Sequence, residues 1–267
     1  MIMNNSYALI TGASSGIGAE IAKKLAKKGY NLVLTARRIE LLENLADEIK
    51  QKHNINVDLI SKDLSKYEAP KEIFDFCEEN DYSVDFLVNN AGYGIKTSFH
   101  KTSLDDEEDF IRVLGTSVIM MTKLFLRKMI EKGDGKIMIV SSVAAFAPPS
   151  AIQPLYGPIK TFMNRFSDSI NINYKHKGVT STAVCPGFTT TGFHTASGVQ
   201  EQMDRVPKFL VFSAERVADE AIEATLSGKK LYVPTKTYKF LVFILSNMPQ
   251  WILSLFGKIL APGRYDQ

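Results

Sequence analysis

Residues Tyr7 to Gly18, YALITGASSGIG, restrict what this chain can fold into more than any other stretch. Tyr7–Thr11 is a short apolar run, preceded by Asn4-Asn5 and followed by glycine, and reads as a buried strand. Gly12, Gly16 and Gly18 then turn the chain into a helix expected to start near Ile17. Side chains at those positions would block both a sharp turn and the approach of a ligand to the backbone. The helix points unpaired N–H groups and the positive end of its dipole at the turn, so Gly12, Ser14, Ser15, Gly16, Ile17 and Gly18 form a candidate phosphate-binding loop. The spacing G-x-x-x-G-x-G differs from the common dinucleotide fingerprint. Taken alone, the glycines leave a ligand-free turn open.

Beyond this turn, apolar runs and amphipathic stretches alternate. Strands are expected at Asn31–Ala36, Val57–Ser61, Val84–Asn89, Lys136–Ser141 and Val179–Cys185. Helices are expected from the glycine turn to Lys28, then at Glu40–His53, Ala69–Glu79, Leu104–Glu131 and Tyr156–Lys175. Strands separated by helices pair in parallel through right-handed crossovers. The fold class is therefore α/β: a single Rossmann-type, doubly wound parallel sheet with helices on both faces. Residues 1–237 are assigned to that domain and 238–267 to an apolar C-terminal extension.

In such sheets ligands bind beyond the carboxyl ends of the strands, near the point where strand order reverses. The expected ends carry the glycine turn, Arg37-Arg38, Asp63, Asn89-Asn90-Ala91-Gly92, Ser141-Ser142 and Pro186-Gly187. Six such ends converge on one rim, which points to a nucleotide. A net charge of +3 with dispersed lysines gives no electrostatic footprint for nucleic acid. Cys77 and Cys185 are isolated and without metal-ligand spacing, which fits a reducing, cytoplasmic setting. No secretory leader pattern opens the sequence, and no metal site is expected.

TGASSGIG, NNAG, the serine-bearing strand end and Tyr156-Gly-Pro-Ile-Lys160 together resemble the short-chain dehydrogenase/reductase family, over about Tyr7 to Thr191. The resemblance implies a nicotinamide cofactor and a catalytic Ser–Tyr–Lys group, here Ser142, Tyr156 and Lys160. It further implies an adenine contact at Asp63-Leu64, a turn at Asn90, Ala91 and Gly92, and a nicotinamide contact along Pro186, Gly187 and Thr189, with Thr191 beside the amide or the phosphates. A carbonyl or alcohol as small-molecule substrate follows, and a homo-oligomer, dimer or tetramer, is expected. An acidic residue at the end of the second strand would bind a ribose 2′-hydroxyl, whereas Arg accommodates a 2′-phosphate. Arg37 and Arg38 therefore favour NADP(H).

The chemistry can also be argued from the residues. Tyr156 and Lys160 are four apart, which puts both on one helix face. A phenol with a pKa near 10 exchanges protons poorly at neutral pH unless its phenolate is stabilised, which a lysine ammonium can do. Ser142 can hydrogen-bond a carbonyl oxygen and polarise it for hydride attack. Ser141 is the alternative, because Ser142 lies 14 residues before Tyr156, one more than is usual. Pro158 is tolerable only if the helix begins just before it. Arg112 aligns with the family's helix Asn and would compete near Lys160. This last departure motivates a second function class, a dinucleotide-binding scaffold with lost turnover.

Phe240–Gly257, FLVFILSNMPQWILSLFG, has no charged residue and is interrupted by Ser246, Asn247, Pro249 and Gln250. Two short amphipathic helices are expected rather than a membrane span, with Trp251 and Phe256 as interfacial anchors. Pocket closure, subunit packing and peripheral membrane contact through 238–260 are all open roles. His194 stands in the expected substrate flap.

Overall fold

The strand residues alternate between two separate cores, and that alternation sets the architecture. Tyr7, Leu9, Val33, Leu87, Ile137 and Ile139 enter one apolar cluster. Their neighbours Ala8, Ile10, Leu32, Leu34, Val88 and Met138 enter the other. A period of two with apolar residues on both faces is what a sheet covered on both sides demands. The computed structural model describes residues 5–95, 97–148, 154–191 and 206–249. His194, Trp251 and Phe256 lie outside them.

The main strands are β1 (Ser6–Thr11), β2 (Asn31–Ala36), β3 (Val57–Ser61), β4 (Ser83–Asn89), β5 (Gly135–Val140) and β6 (Val179–Val184). Two short strands, β7 (Thr189–Thr190) and β8 (Phe212–Ser213), pair with each other, and β9 (Leu231–Tyr232) adds to the main sheet. The order is β3-β2-β1-β4-β5-β6-β9, and every pairing is parallel. Strand order therefore reverses between β1 and β4. The helices α1 (Gly16–Lys27) and α2 (Ile39–Lys52) cover one face. On the other lie α3 (Ala69–Glu79), α5 (Ser117–Lys132) and α6 (Tyr156–Tyr174).

Three elements differ from the sequence reading. The helix expected over Leu104–Glu131 divides into α4 (Leu104–Ile111), a π turn at Arg112–Thr116, and α5. Val113, Leu114 and Gly115 are buried there, and the Ser117 hydroxyl donates to the Val113 carbonyl at 2.8 Å, which supports the wider turn. The helix α7 (Ala214–Leu226), which buries Ala218, Ala221 and Ile222, was not foreseen, and α8 (Lys236–Asn247), the first of the short helices expected in the Phe240–Gly257 stretch, starts earlier than expected, just ahead of the 237/238 boundary. Tyr238 and Val242 of α8 enter a third apolar cluster with Cys185 and Val233. Among the described residues, no helix is long and apolar enough to cross a membrane.

One irregularity in the sheet carries a buried charge. The β1–β4 register slips so that Tyr7 faces Val84 but Ala8 faces Phe86, leaving Asp85 as an extra residue. Asp85 is 7% exposed and accepts from Lys132 at 2.6 Å, from Ser83 at 3.0 Å, and from Ser6. A buried carboxylate needs that many partners. Lys132→Met would leave only hydroxyls and should lower unfolding stability by about 1–3 kcal/mol, below the usual cost of breaking a buried pair because the lysine side chain is 30% exposed. Urea denaturation checks this: Asp85→Asn in the same background should recover part of the loss, and an unchanged midpoint in Lys132→Met contradicts the assignment.

Candidate active site

Thr11, the last residue of β1, ties the glycine turn to the end of β4. Its hydroxyl donates to the Val88 carbonyl at 3.2 Å and accepts the backbone N–H groups of Asn90 and Ala91 at 2.9 and 3.0 Å. Asn90 Nδ2 returns to the carbonyls of Thr11 and Gly12 at 2.9 and 3.2 Å. Asn90 thus shapes the turn with its side chain. Gly12 has φ +65°, and a Cβ there would stand 2.8 Å from Ala91 Cα. Both the left-handed backbone and the close approach require glycine.

The α1 helix starts at Gly16, one residue before the expected position, and its N-cap Ser15 makes no side-chain capping bond. At the end of β2, Arg38 Nη2 reaches Ser14 Oγ at 3.2 Å and Ser15 Oγ at 3.4 Å. Arg37 is exposed beside it. A guanidinium and two hydroxyls at the mouth of an uncapped helix form a donor set suited to phosphate. Thr191 leans over the same helix end, close to Gly16. Asp63 Oδ1 accepts the Ser65 N–H at 3.0 Å, while Leu64 packs into the first core, so of this expected adenine pair only Asp63 stands at the rim with a polar group.

Ser142, two residues beyond the end of β5, is in extended conformation and caps a short 3₁₀ turn, Val143–Ala145, accepting the Ala144 N–H at 3.1 Å. The α6 helix begins at Tyr156, so Pro158 falls in its first turn, where no intrahelical donor is lost. Burial raises the Tyr156 pKa above the ordinary phenol value, and a hydrogen bond with Ser142 pulls it partway back. Lys160 is 6% exposed. Its Nζ donates to the Val140 carbonyl at 2.8 Å and stands 5.6 Å from the Tyr156 ring centroid. Burial lowers the Lys160 pKa to about 8, opposed weakly by the neighbouring Cys185 thiol. The fold thus brings Ser142, Tyr156 and Lys160 together.

Ser141 has a different position. It is buried, and its Oγ donates to the Lys160 backbone carbonyl at 3.0 Å, fastening the first turns of α6 to the end of β5. Arg112 also departs from the sequence expectation. Its Nη2 pairs with Glu108 at 2.6 Å and its guanidinium lies over the Tyr67 ring, so it does not act on Lys160. Around Tyr156, Phe110 packs 6.4 Å away between centroids and in turn meets Tyr93 at 5.4 Å.

Tyr238 is the residue the sequence reading missed. Its ring covers Gly187, where a Cβ would lie 2.0 Å from the ring. Its hydroxyl accepts the Phe188 N–H at 3.0 Å and donates to the Leu210 carbonyl at 2.8 Å. Pro186 is held from the other side, its carbonyl accepting the Val143 N–H at 3.0 Å. The only sequence signal for Tyr238 was its place among the apolar residues of the C-terminal stretch, which does not reveal a contact 51 residues back along the chain.

The buried lysine makes a pH prediction. Its ordinary pKa is 10.5 and its folded value about 8, so the unfolded chain binds the extra proton between those values. Stability should rise with pH across that window, and below about 8 the full penalty of the buried ammonium should be present. Lys160→Met should therefore stabilise the ligand-free protein at neutral pH and remove this part of the pH dependence. Thermal midpoints of the two proteins that stay parallel from neutral pH upward would contradict it.

A family model described as short chain dehydrogenase matches residues 6–202. The chain is 31% identical over 241 residues to 3-oxoacyl-(acyl-carrier-protein) reductase FabG of Buchnera aphidicola, covering 89% of this chain and 96% of that one. It is 31% identical over 259 residues to hydroxysteroid dehydrogenase-like protein 1 of Gallus gallus, covering 94% and 75% respectively. A solved short-chain dehydrogenase from Sphingobium yanoikuyae in complex with NADPH superposes with a TM-score of 0.82 at 26% identity, covering 98% of this chain and all of that one. A glycine turn at the switch point and Ser142, Tyr156 and Lys160 gathered at the neighbouring strand ends agree with these matches, and the chain belongs to the short-chain dehydrogenase family.

Proposed function

We propose that this chain is an NADPH-dependent oxidoreductase that interconverts a carbonyl and an alcohol on an apolar, lipid-like substrate. The observation that carries this reading is Ser142 hydrogen-bonded to Tyr156, with Lys160 one turn further along α6, on the same rim as the Gly12–Gly18 turn. NADPH is preferred because Arg38 and the hydroxyls of Ser14 and Ser15 form a compact donor set at the end of β2, where a 2′-phosphate would fall. A structural relative with NADPH bound supports the same choice.

When bound, the nicotinamide supplies or accepts the hydride. The chain's own residues manage the oxygen. Ser142 accepts from Ala144 through its Oγ and so keeps its own proton to donate towards a substrate oxygen. Tyr156, its pKa raised by burial, holds its proton at neutral pH and can deliver it to that oxygen during reduction. Lys160 places positive charge beside the ring, which favours the phenolate left behind. Val143, Phe146 and Phe188 pack partly buried near Ser142 and Gly187, and Leu155 and Tyr93 near Tyr156. Such walls exclude water and suit an apolar chain or ring system. Relatives named as a 3-oxoacyl-(acyl-carrier-protein) reductase and a hydroxysteroid dehydrogenase-like protein are consistent with that substrate class. The scaffold alternative rested on Arg112, which is engaged with Glu108 and Tyr67, and no other observation favours it.

Two predictions follow from these roles. Tyr156→Phe removes only the hydroxyl; NADPH oxidation with a panel of 3-oxoacyl thioesters and ketosteroids should fall to near background while NADPH affinity changes little. Full activity in that variant refutes the mechanism, and wild-type protein that binds NADPH but reduces none of the panel refutes the substrate class. Arg38→Ala should weaken NADPH by roughly ten- to hundred-fold through loss of a charge-assisted phosphate contact. NADH binding should hardly change, and calorimetry that finds the two cofactors equal in the wild type overturns the preference.

A further inference from the structure

We propose that the outer face of α8, with the adjoining Lys208–Leu210 turn, docks on the surface of an anionic lipid bilayer. The helix is two-sided. Tyr238 and Val242 are buried against Gly187, Phe188 and Leu210, while Lys236, Lys239, Phe240, Phe243, Ser246 and Asn247 form the exposed stripe. Phe240 is 67% exposed and Phe243 66%, on consecutive turns, and Phe209 in the adjoining turn is 71% exposed. Among the described residues, these two aromatic rings on one helix face are left largely uncovered. Rings of this kind with lysines beside them match the boundary between headgroups and acyl chains.

Charge selects the occupant. From Ala224 to Tyr265 the sequence contains Lys229, Lys230, Lys236, Lys239, Lys258 and Arg264 and no Asp or Glu. The Val206–Ser213 stretch adds Lys208, again without an acid. A symmetric contact through this face would gather Lys208, Lys236 and Lys239 of both copies at one interface, which like-charge repulsion opposes. An anionic headgroup layer instead meets the exposed Lys236 and Lys239, and Lys208 in the adjoining turn, with opposite sign. The geometry agrees: α8 has 12 residues and is about 18 Å long, too short to cross the hydrocarbon core but long enough to lie in its plane. Lys239 is steered across Tyr232, its Nζ 2.9 Å from the phenol oxygen, so Lys236 and Lys208 are the freer cations.

Flotation of the full-length protein with lipid vesicles tests this, and needs neither cofactor nor substrate, so its failure is separable from failure of the oxidoreductase reading. Binding should appear on vesicles of phosphatidylcholine mixed with phosphatidylglycerol, be weak on phosphatidylcholine alone, and decline with salt. Lys208→Glu with Lys236→Glu should lower the affinity at least about twenty-five-fold, two lysines each contributing about fivefold at an anionic surface. Phe240→Ser with Phe243→Ser should release the protein while NADPH titration by fluorescence stays at the wild-type value, which shows the variant folded. No binding to anionic vesicles, or binding indifferent to both double variants, overturns the proposal. It is equally overturned if the phenylalanine variant dissociates an oligomer, read by light scattering, while vesicle binding persists.

Discussion

The Thr11 hydroxyl is the point on which the site depends. It lies at the boundary between β1 and β4, where strand order reverses, and joins the two strand ends through one donated and two accepted hydrogen bonds. Any open parallel sheet has a crevice at this boundary, because the chain leaves in opposite directions on its two sides. What the crevice can bind depends on how its lips are fixed. Here Asn90 closes one lip onto the Thr11 and Gly12 carbonyls, and a side chain at Gly18 would collide with both Asn90 and Gly12. The α1 N-terminus is therefore aimed by a knot of short polar contacts, set beside the apolar packing of Ala13 and Ile17.

The opposite wall is fixed from much further along the chain. Gly187 lies under the Tyr238 ring, so α8 clamps the loop after β6. The entry to α8 is itself held: Thr235 adopts φ +69°, unusual for a β-branched residue, and its N–H donates to Glu220 of α7 at 2.9 Å. Burial alone would raise the Glu220 pKa, but bonds from Thr235, Arg216 and Tyr232 outweigh it and hold the carboxyl below its ordinary value. A carboxylate thus stabilises a strained turn, the turn positions Tyr238, and Tyr238 shapes the loop after β6. Such strain persists only where surrounding contacts over-determine it.

The sequence showed clearly whatever is periodic or local. The six main strands and their crossover helices follow from apolar alternation and appear within a residue or so of expectation, as with β2 at Asn31–Ala36 and α3 at Ala69–Glu79. Tyr156 and Lys160 were legible because four residues on a helix is a local relation. Contacts between distant segments were hidden. Ser141 and Ser142 are adjacent and chemically identical, and only the folded arrangement sends one beneath α6 and the other to Tyr156. Arg112 was read against Lys160 because it aligned with the family's helix Asn, whereas in the fold it opens the π turn Arg112–Thr116 and pairs with Glu108 instead. The two-residue β9 is too short to show a period at all.

Lys160 shows how the fold handles a charge it cannot easily keep. An ammonium 6% exposed needs compensation, and among the described contacts it has the Val140 carbonyl and the face of the Tyr156 ring. Cys185 is close enough to act on it but offers no counter-charge, because burial pushes that thiol up to about 12. Asn164, four residues further along α6, is taken up by the same thiol, its Oδ1 accepting from Sγ at 3.4 Å. The neighbouring side chains are thus neutral, and the lysine is left short of anionic partners on the side where Tyr156 stands. A phenolate formed there would meet that need directly: burial lowers the lysine pKa and raises the tyrosine pKa, and the charge on Lys160 offsets part of the cost of ionising Tyr156. Burial thus acts on the two residues in opposite senses, and the 5.6 Å between Lys160 Nζ and the Tyr156 ring centroid is the geometry through which the ammonium can favour the phenolate.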